Sequence, residues 1–385
     1  MIRNVALKKF LKGSIFRGIT FVNKLLPKDD NIILLYMGNK GLGFNLSVLY
    51  EYLLENKYNK KYRIICSVES KKYFGRTEKN VKYVDHFGGL KWFLKTTHVF
   101  YTAGQLPIKP SKDQIVIHMN HGTSDLKAMG ALTNINNGDE FFFTYLLVPS
   151  KDYKPIIARA YQCPEDNIKI CGEPMTDILF SSDNYSYDLG GFNKTILWLP
   201  TFRQSDYLSY DDSQESLLPM FEPEEYDELN SMLEVLNIQL IVKIHPAQNC
   251  DSVDRNQYSH LRIMTNDDFV AKGFDLYRLM KQVDGLIGDY SSASLQYLLV
   301  DRPNAFVVPD FDEYKKRRGF CFENPLNYMP GPIIKEKKQL YDFLSDMAND
   351  IDNFKLDRER VRNLVFQYQD GNNTERVLKL SKIIV

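Results

Sequence analysis

Short apolar runs recur along this chain, each closed by glycine, proline or a polar cluster and followed by apolar positions at helical spacing. Residues 31–36 (NIILLY) read as a first buried strand; Gly38, Gly41 and Gly43 follow it, and 46–54 repeats at helical intervals. Further strands are predicted at 63–68, 80–84, 98–102 and 114–119, with a helix through 90–94. A second series begins near Lys194, with strands at 195–199, 239–243, 261–264, 284–287 and 305–308 and an amphipathic helix at 224–236. Helices at 337–350, 357–368 and 374–385 close the chain. Strands alternating with helices at this rhythm predict an α/β protein with parallel sheets covered on both faces. The polar, glycine-containing residues 181–191 are the expected linker. The reading gives a segment 1–28, a first α/β domain 29–185, a second 186–350, and closing helices 351–385 expected to return to the first domain.

The stretch 283–303 (VDGLIGDYSSASLQYLLVDRP) organises the second half. Its opening fits a buried strand ended by Gly288, and Asp289-Tyr290-Ser291-Ser292 fits a turn into a helix. Leu295, Leu298 and Leu299 follow at helical spacing, and Pro303 marks the stop. A helix N-terminus carrying two hydroxyls suits phosphate oxygens; a serine-capped helix with no ligand is the alternative this stretch leaves open. Its neighbours favour chemistry. Thr201 and Arg203 follow one strand end, Lys243 and His245 another, and Ser291 and Ser292 a third. On one sheet edge they would form a cationic, hydrogen-bond-donating pocket for a diphosphate. In the first half His121, with Gly122 and Thr123, ends the strand 114–119, where open α/β sheets place their ligands. The glycine loop 38–43 lacks G-x-G-x-x-G spacing and is a weak cofactor signal.

Composition narrows the class. Hydrophobic residues at 44% and charged residues at 25% of 385 describe a globular chain of two domains. Lys+Arg and Asp+Glu balance at 49 each, so nothing argues for nucleic acid as a partner. Cys66, Cys163, Cys171, Cys250 and Cys321 form no C-x-x-C pair, which argues for reduced cytosolic thiols and against a disulfide framework or a zinc site. No apolar run has the length of a membrane span. Residues 1–28 break the neutral balance, with Arg3, Lys8, Lys9, Lys12, Arg17, Lys24 and Lys28 among apolar residues and no acidic one. Two readings stand side by side: a basic helix lying on an anionic membrane, and a first helix packed on the core.

Taken in order, N-H-G-T at 120–123, C-G-E-P-x-x-D-x-L at 171–179, L-P-T-F-R at 199–203, K-I-H-P at 243–246 and D-Y-S-S at 289–292 form a series. D-R-P at 301–303, R-G-F-C-F at 318–322 and P-G-P at 330–332 extend it. The series resembles the CDP-glycerol glycerophosphotransferase family, the primases and polymerases of teichoic acids and related capsules, over roughly residues 35–335. The resemblance implies two Rossmann-like domains of the GT-B type facing across a cleft, with CDP-glycerol or CDP-ribitol as donor. It also implies a lipid-linked glycan or polymer as acceptor, at the cytoplasmic face of the cell membrane. His121 and His245 are then the expected catalytic pair, with His121 as general base because imidazole titrates near working pH. Thr201, Arg203, Lys243, Asp289, Ser291 and Ser292 are expected at the donor, and Gly122, Thr123 and Lys127 on the acceptor side. No metal and no cofactor is expected. Two positions depart from the family pattern: Ser124-Asp125-Leu126 intervenes before Lys127, and Gln296 stands where the family has an acidic residue. The rival readings are a GT-B transferase using a nucleoside-diphosphate sugar, distinguished by releasing UDP or GDP rather than CMP, and a glycan-binding homologue that has lost activity. The polyol, the number of additions, the acceptor glycan and the oligomeric state are not legible in the chain.

Overall fold

The computed structural model describes residues 15–38, 40–133, 140–182, 185–203, 216–245, 248 and 258–384. Among them the strands are β1 (Asp29–Tyr36), β2 (Arg63–Ser67), β3 (Val81–Val84), β4 (Thr96–Tyr101), β5 (Ile115–His118), β6 (Tyr145–Val148) and β7 (Ile168–Ile170), followed by β8 (Lys194–Trp198), β9 (Ile238–Lys243), β10 (Leu261–Met264), β11 (Gly285–Gly288), β12 (Asn304–Val307) and β13 (Ile333–Ile334). They form two sheets, in the orders β3-β2-β1-β4-β5-β6-β7 and β10-β9-β8-β11-β12-β13. Every pairing is parallel. Each sheet starts in its middle and winds outward both ways. The order therefore reverses between β1 and β4 in one sheet and between β8 and β11 in the other, the points where such folds bind ligands.

The predicted α/β class with parallel sheets is what the chain forms. The short strands β6, β7 and β13 have no counterpart in the sequence reading; β13 is two residues long and lies in the turn-rich stretch after Pro330. Both faces of β1 are buried. Ile33 and Leu35 pack with Leu46, Leu49, Leu53 and Phe100 on one side, while Ile32 and Leu34 pack with Phe93, Val99 and Val116 on the other. In the second sheet Ile196, Trp198, Leu240 and Val242 meet Leu229 and Leu233 of the helix Tyr226–Val235, and Leu340 and Leu344 of the helix Lys337–Ala348.

The chain divides into two compact units, one holding residues 1–123, 136–180 and 367–385, the other 124–135 and 181–366. The closing segment is thus shared. The helix Lys355–Val365 belongs to the second unit, while the helix Asn373–Leu380 places Val377 and Leu378 in the core of the first. The carboxylate of Asp177 caps that last helix, accepting from the Asn373 and Thr374 amides at 3.0 and 2.8 Å. The basic segment 1–28 is described from Ile15 onward, where Ile15–Leu25 is helical. Its Asn23 is fully buried and donates to Gln114 Oε1 at 2.7 Å, while Phe21, Val22 and Leu25 stay exposed. No described helix is long and apolar enough to cross a membrane.

His118, at the end of β5, is stacked on Tyr101 at 4.3 Å and closed in by Phe141, Phe143 and Tyr161. Burial, with the neighbouring His121 as a lesser cause, pushes its imidazole down to about 3. The unfolded chain takes up this proton near pH 6.5, the folded chain only near 3, so the stability is complete above 6.5 and drains as pH falls toward 3. Between pH 7 and 5 this group alone should remove about 2 kcal/mol. Urea midpoints of wild type and His118→Phe at the two pH values should differ by that amount; parallel pH dependences would refute the assignment.

Candidate active site

In the second unit the loops leaving β8, β11 and β12 are joined by one buried ionic network. The Arg203 guanidinium, 1% exposed, donates from Nε to Asp310 Oδ2 at 2.6 Å and from Nη1 to Asp289 Oδ2 at 3.0 Å. Nη1 also reaches the Thr201 carbonyl at 3.0 Å. The Asp289 carboxylate accepts from the Thr201 amide (2.7 Å), the Thr201 hydroxyl (2.6 Å) and the Ser291 amide (3.1 Å). Tyr290 donates its hydroxyl to Asp310 at 3.1 Å, and the guanidinium carbon lies 5.5 Å from the ring centres of both Tyr290 and Tyr314. Burial by itself would raise the Asp289 carboxyl, but Arg203 and the Thr201 bonds outweigh it and hold the group below the usual carboxylate range. Burial likewise opposes the Arg203 charge, and Asp289 and Asp310 more than restore it.

This geometry changes the job of three residues read as donor ligands from their strand-end positions. Arg203, Thr201 and Asp289 are buried and bonded to one another, so they fix the loops. The serine cap also differs from expectation. Ser291 stands at the N-terminus of the helix Ser292–Gln296 but makes no side-chain bond to its amides. Its hydroxyl meets Ser294 Oγ at 3.0 Å, and Ser294 accepts from the Asp289 amide. A five-residue helix also carries little macrodipole, which weakens the argument for an anion site at its terminus. Gln296 is buried and accepts from the Tyr277 hydroxyl at 2.8 Å, so its neutral amide serves packing inside the unit.

Two further basic side chains stand at the end of β9. Lys243 is half-buried, and its ammonium makes no ion pair or hydrogen bond among the described residues; it lies 5.3 Å from the Phe269 ring centre. Burial lowers its pKa. His245, also half-buried, lies beside Phe202 with ring centres 5.2 Å apart. The loops after β8 and β9 are tied by Gln248, which accepts from the Arg203 amide at 2.8 Å. Pro246 of the K-I-H-P motif lies outside the described residues. Lys127 falls in the second unit, bridging Phe320 and paired with Asp125 at 3.5 Å.

His121, Gly122 and Thr123 belong to the first unit, where backbone amides, neutral side chains and one carboxylate do the fixing. Asn120 takes a left-handed φ of 54° and Gly122 one of 137°. The Asn120 carbonyl accepts from Thr102 Oγ1 and Asn45 Nδ2, its side chain donates to Tyr161, and its Oδ1 accepts from the His121 amide at 2.7 Å. The buried Glu173 carboxylate accepts from the Thr123 amide at 2.5 Å. The His121 ring itself is exposed, 5.7 Å from the Phe44 ring. Phe44 has φ 54° and ψ −137°, a region other residues than glycine enter at a strain of about 1–3 kcal/mol. Sequence reading missed Asp310, Glu173, Asn45 and Phe44. Asp310 had a signal, since it follows a strand end as the named residues do; the others depend on contacts between segments far apart in the chain. No described residues form a group of three or more metal-ligating side chains.

The sequence model of the family described as CDP-Glycerol:Poly(glycerophosphate) glycerophosphotransferase matches residues 19–381. The teichoic acid ribitol-phosphate primase of Bacillus spizizenii is 25% identical, with 96% of each chain covered. The teichoic acid glycerol-phosphate transferase of Staphylococcus aureus is 24% identical, with 98% of each covered. A teichoic acid poly(ribitol-phosphate) polymerase of Bacillus spizizenii is 26% identical, but this chain spans only 59% of it. Among solved structures, the wall teichoic acid polymerase TagF superposes with a TM-score of 0.72 at 20% identity, covering 99% of this chain and 95% of that one. A structure described as a putative UDP-N-acetylglucosamine 2-epimerase from Listeria monocytogenes gives 0.53 at 12% identity, covering 92% and 96%, a likeness of fold.

Replacing Arg203 by Ala strands two buried carboxylates and should cost about 3–5 kcal/mol of stability. Arg203→Lys should recover only part, because an ammonium cannot supply the planar fork. The Asp289 contribution is present above the unfolded carboxyl pKa of about 3.9 and is lost as pH falls below it. Denaturant titrations of both variants at neutral pH and near pH 3 check this; an Arg203→Ala protein as stable as wild type would exclude the network as a structural keystone.

Proposed function

The chain belongs to the CDP-glycerol:poly(glycerophosphate) glycerophosphotransferase family, and on that footing we propose how it acts as an enzyme transferring polyol phosphate from a CDP-polyol. Glycerol phosphate or ribitol phosphate passes to a hydroxyl of a teichoic-acid-type acceptor, and CMP is released. The acceptor oxygen attacks the β-phosphorus, the bond from that phosphorus to the bridging oxygen breaks, and CMP leaves with the electron pair. The hydroxyl proton goes to a base. Transfers of this kind need positioning and charge neutralisation rather than a covalent nucleophile.

The observation that carries the donor assignment is the half-buried Lys243 ammonium, without an ion pair among the described residues, two positions before His245 at the end of the strand next to the switch strand β8. A diphosphate supplies the missing counter-charge. Ser291 and Ser292, half-buried on the loop after β11 on the far side of β8, add hydroxyl donors, while Arg203, Asp289 and Thr201 hold that loop. His121 is the base, its exposed ring mounted on a fixed backbone. A form of TagF was solved after soaking with CDPG, in keeping with such a donor. The membrane reading rests on the helix Ile15–Leu25, which leaves Phe21 65% and Leu25 70% exposed beside Arg17 and Lys24. That face suits the inner, anionic leaflet, where a lipid-linked acceptor would be presented.

With a panel of CDP-polyols and nucleoside-diphosphate sugars, CMP release is expected from the former and no diphosphate release from the latter. His121→Ala should slow CMP release by about 10²- to 10⁴-fold while binding CMP as wild type does. Lys243→Ala and His245→Ala should lose affinity for CMP as well as turnover. Calorimetric titration beside the release assay checks the division of roles, and loss of CMP affinity in His121→Ala would overturn it.

For the membrane, a Phe21→Ser, Leu25→Ser double variant should bind phosphatidylglycerol vesicles several-fold more weakly and retain activity on a soluble acceptor. Added salt should weaken binding of both proteins. Unchanged sedimentation with vesicles would sink the idea.

A further inference from the structure

Phe44 is strained, exposed and beside His121, and among the described residues its ring belongs to no apolar core cluster. The loop from β1 to the helix Asn45–Glu55 contains three glycines, yet its positive φ angles fall on Lys40 and Phe44. Gly38 serves close approach instead: a Cβ there would meet the Ala103 carbonyl oxygen at 2.2 Å. At Phe44 glycine would be the unstrained choice. What holds the strain is the next residue. Asn45 is fully buried; its Nδ2 donates to the Met119 and Asn120 carbonyls at 2.8 and 2.9 Å, and its Oδ1 accepts from the Met175 amide at 2.9 Å. These bonds tie the start of the helix to the backbone that carries His121, and they leave Phe44 no freedom to relax. The ring is 48% exposed and belongs to neither of the clusters that hold Ile33 and Ile32 among the described residues. Its aromatic neighbour among the described residues is His121, tilted by 54°.

We propose that Phe44 is an acceptor-positioning residue: its ring is an aromatic platform that takes the C–H face of a pyranose and sets the sugar's hydroxyl against His121. The inference rests on the reading of His121 as base and deepens it by naming the acceptor class, a glycan rather than a bare polyol-phosphate chain. The electron-rich face of a phenyl ring attracts the weakly positive axial C–H bonds of a sugar, and a flat ring fixes orientation without removing the hydroxyls from water. An aliphatic side chain of similar size offers bulk but no such face.

The test uses the full-length protein, CDP-glycerol or CDP-ribitol, and two soluble acceptors, an amphiphilic pyranosyl glycoside and an oligo(polyol phosphate) without a ring. Phe44→Gly removes the ring and relieves the backbone, so its melting temperature should equal or exceed that of wild type. Its KM for the glycoside should rise about tenfold, with the KM for the donor within twofold of wild type and the KM for the oligo(polyol phosphate) unchanged. Phe44→Trp should restore the glycoside KM, and Phe44→Leu should not. A lowered melting temperature in Phe44→Gly would make the ring a packing element and overturn the proposal, as would an unchanged glycoside KM or full rescue by Leu. His121→Ala run alongside separates the two readings. If it abolishes CMP release while Phe44→Gly behaves as wild type, only the platform fails; if it turns over normally, the base assignment fails, and a raised glycoside KM in Phe44→Gly would still support the platform.

Discussion

One buried guanidinium holds the carboxyl edge of the second sheet in shape. Arg203 leaves β8, and its partners Asp289 and Asp310 leave β11 and β12, so a single side chain ties together three of the loops at the carboxyl ends of the strands. Parallel sheets of this order splay at the switch point, and the crevice is useful only if its lips keep a fixed separation. An ionic fork does that better than apolar packing, because its donors have definite directions and its partners stay costly to separate once buried. The position of Ser291, the conformation of Thr201 and the seating of Tyr290 all follow from where the two carboxylates sit.

The first unit solves the same problem without an ion pair of this kind among the described residues. Around His121 amides donate to carbonyls, and the Thr123 amide and hydroxyl donate to one carboxylate, Glu173. Its reach across the chain is just as long: Asn45 precedes His121 by more than seventy residues, and Asn373, which donates to the Glu173 carbonyl, comes from the closing segment. Gly172 is required there, since a Cβ would meet the Asn373 side chain at 2.1 Å. This accounts for the return of the last residues to the first unit. They complete the support of the loop before Pro174 as well as covering the sheet.

Much of the architecture was legible because buried parallel strands write themselves as continuous apolar runs. NIILLY, TILWL and GLIG could hardly be anything else, and their ends marked the edge where chemistry lies. Strands as short as Ile168–Ile170 and Ile333–Ile334 carry too few residues to show a period, and so escaped. The strand-end residues stand out by position, but position could not say whether each faces a ligand or another loop. Arg203 looked like a phosphate ligand because its counter-ions, one 86 residues away and the other 107, are invisible to local reading. Phe44 gave no sign at all, because backbone strain is set by contacts and not by composition.

The arithmetic of charge then assigns the remaining work. Arg203 brings one positive charge to a network with two carboxylates, so the floor of the donor site is, if anything, negative. A diphosphate cannot be held there by the floor. On the proposed reading it is met by Lys243, which is half-buried, has no ion pair or hydrogen bond among the described residues, and has its pKa lowered by burial. An ammonium so placed would gain a charge-assisted contact from a bound diphosphate, which would offset part of its desolvation. The same separation holds around His121, whose backbone is fixed while its ring stays exposed. In both units the rigid groups are buried and bonded to each other, while Lys243 and the His121 ring lie at the margin of that frame; on the proposed reading this is the condition under which preorganised electrostatics lowers a barrier without reorganising first.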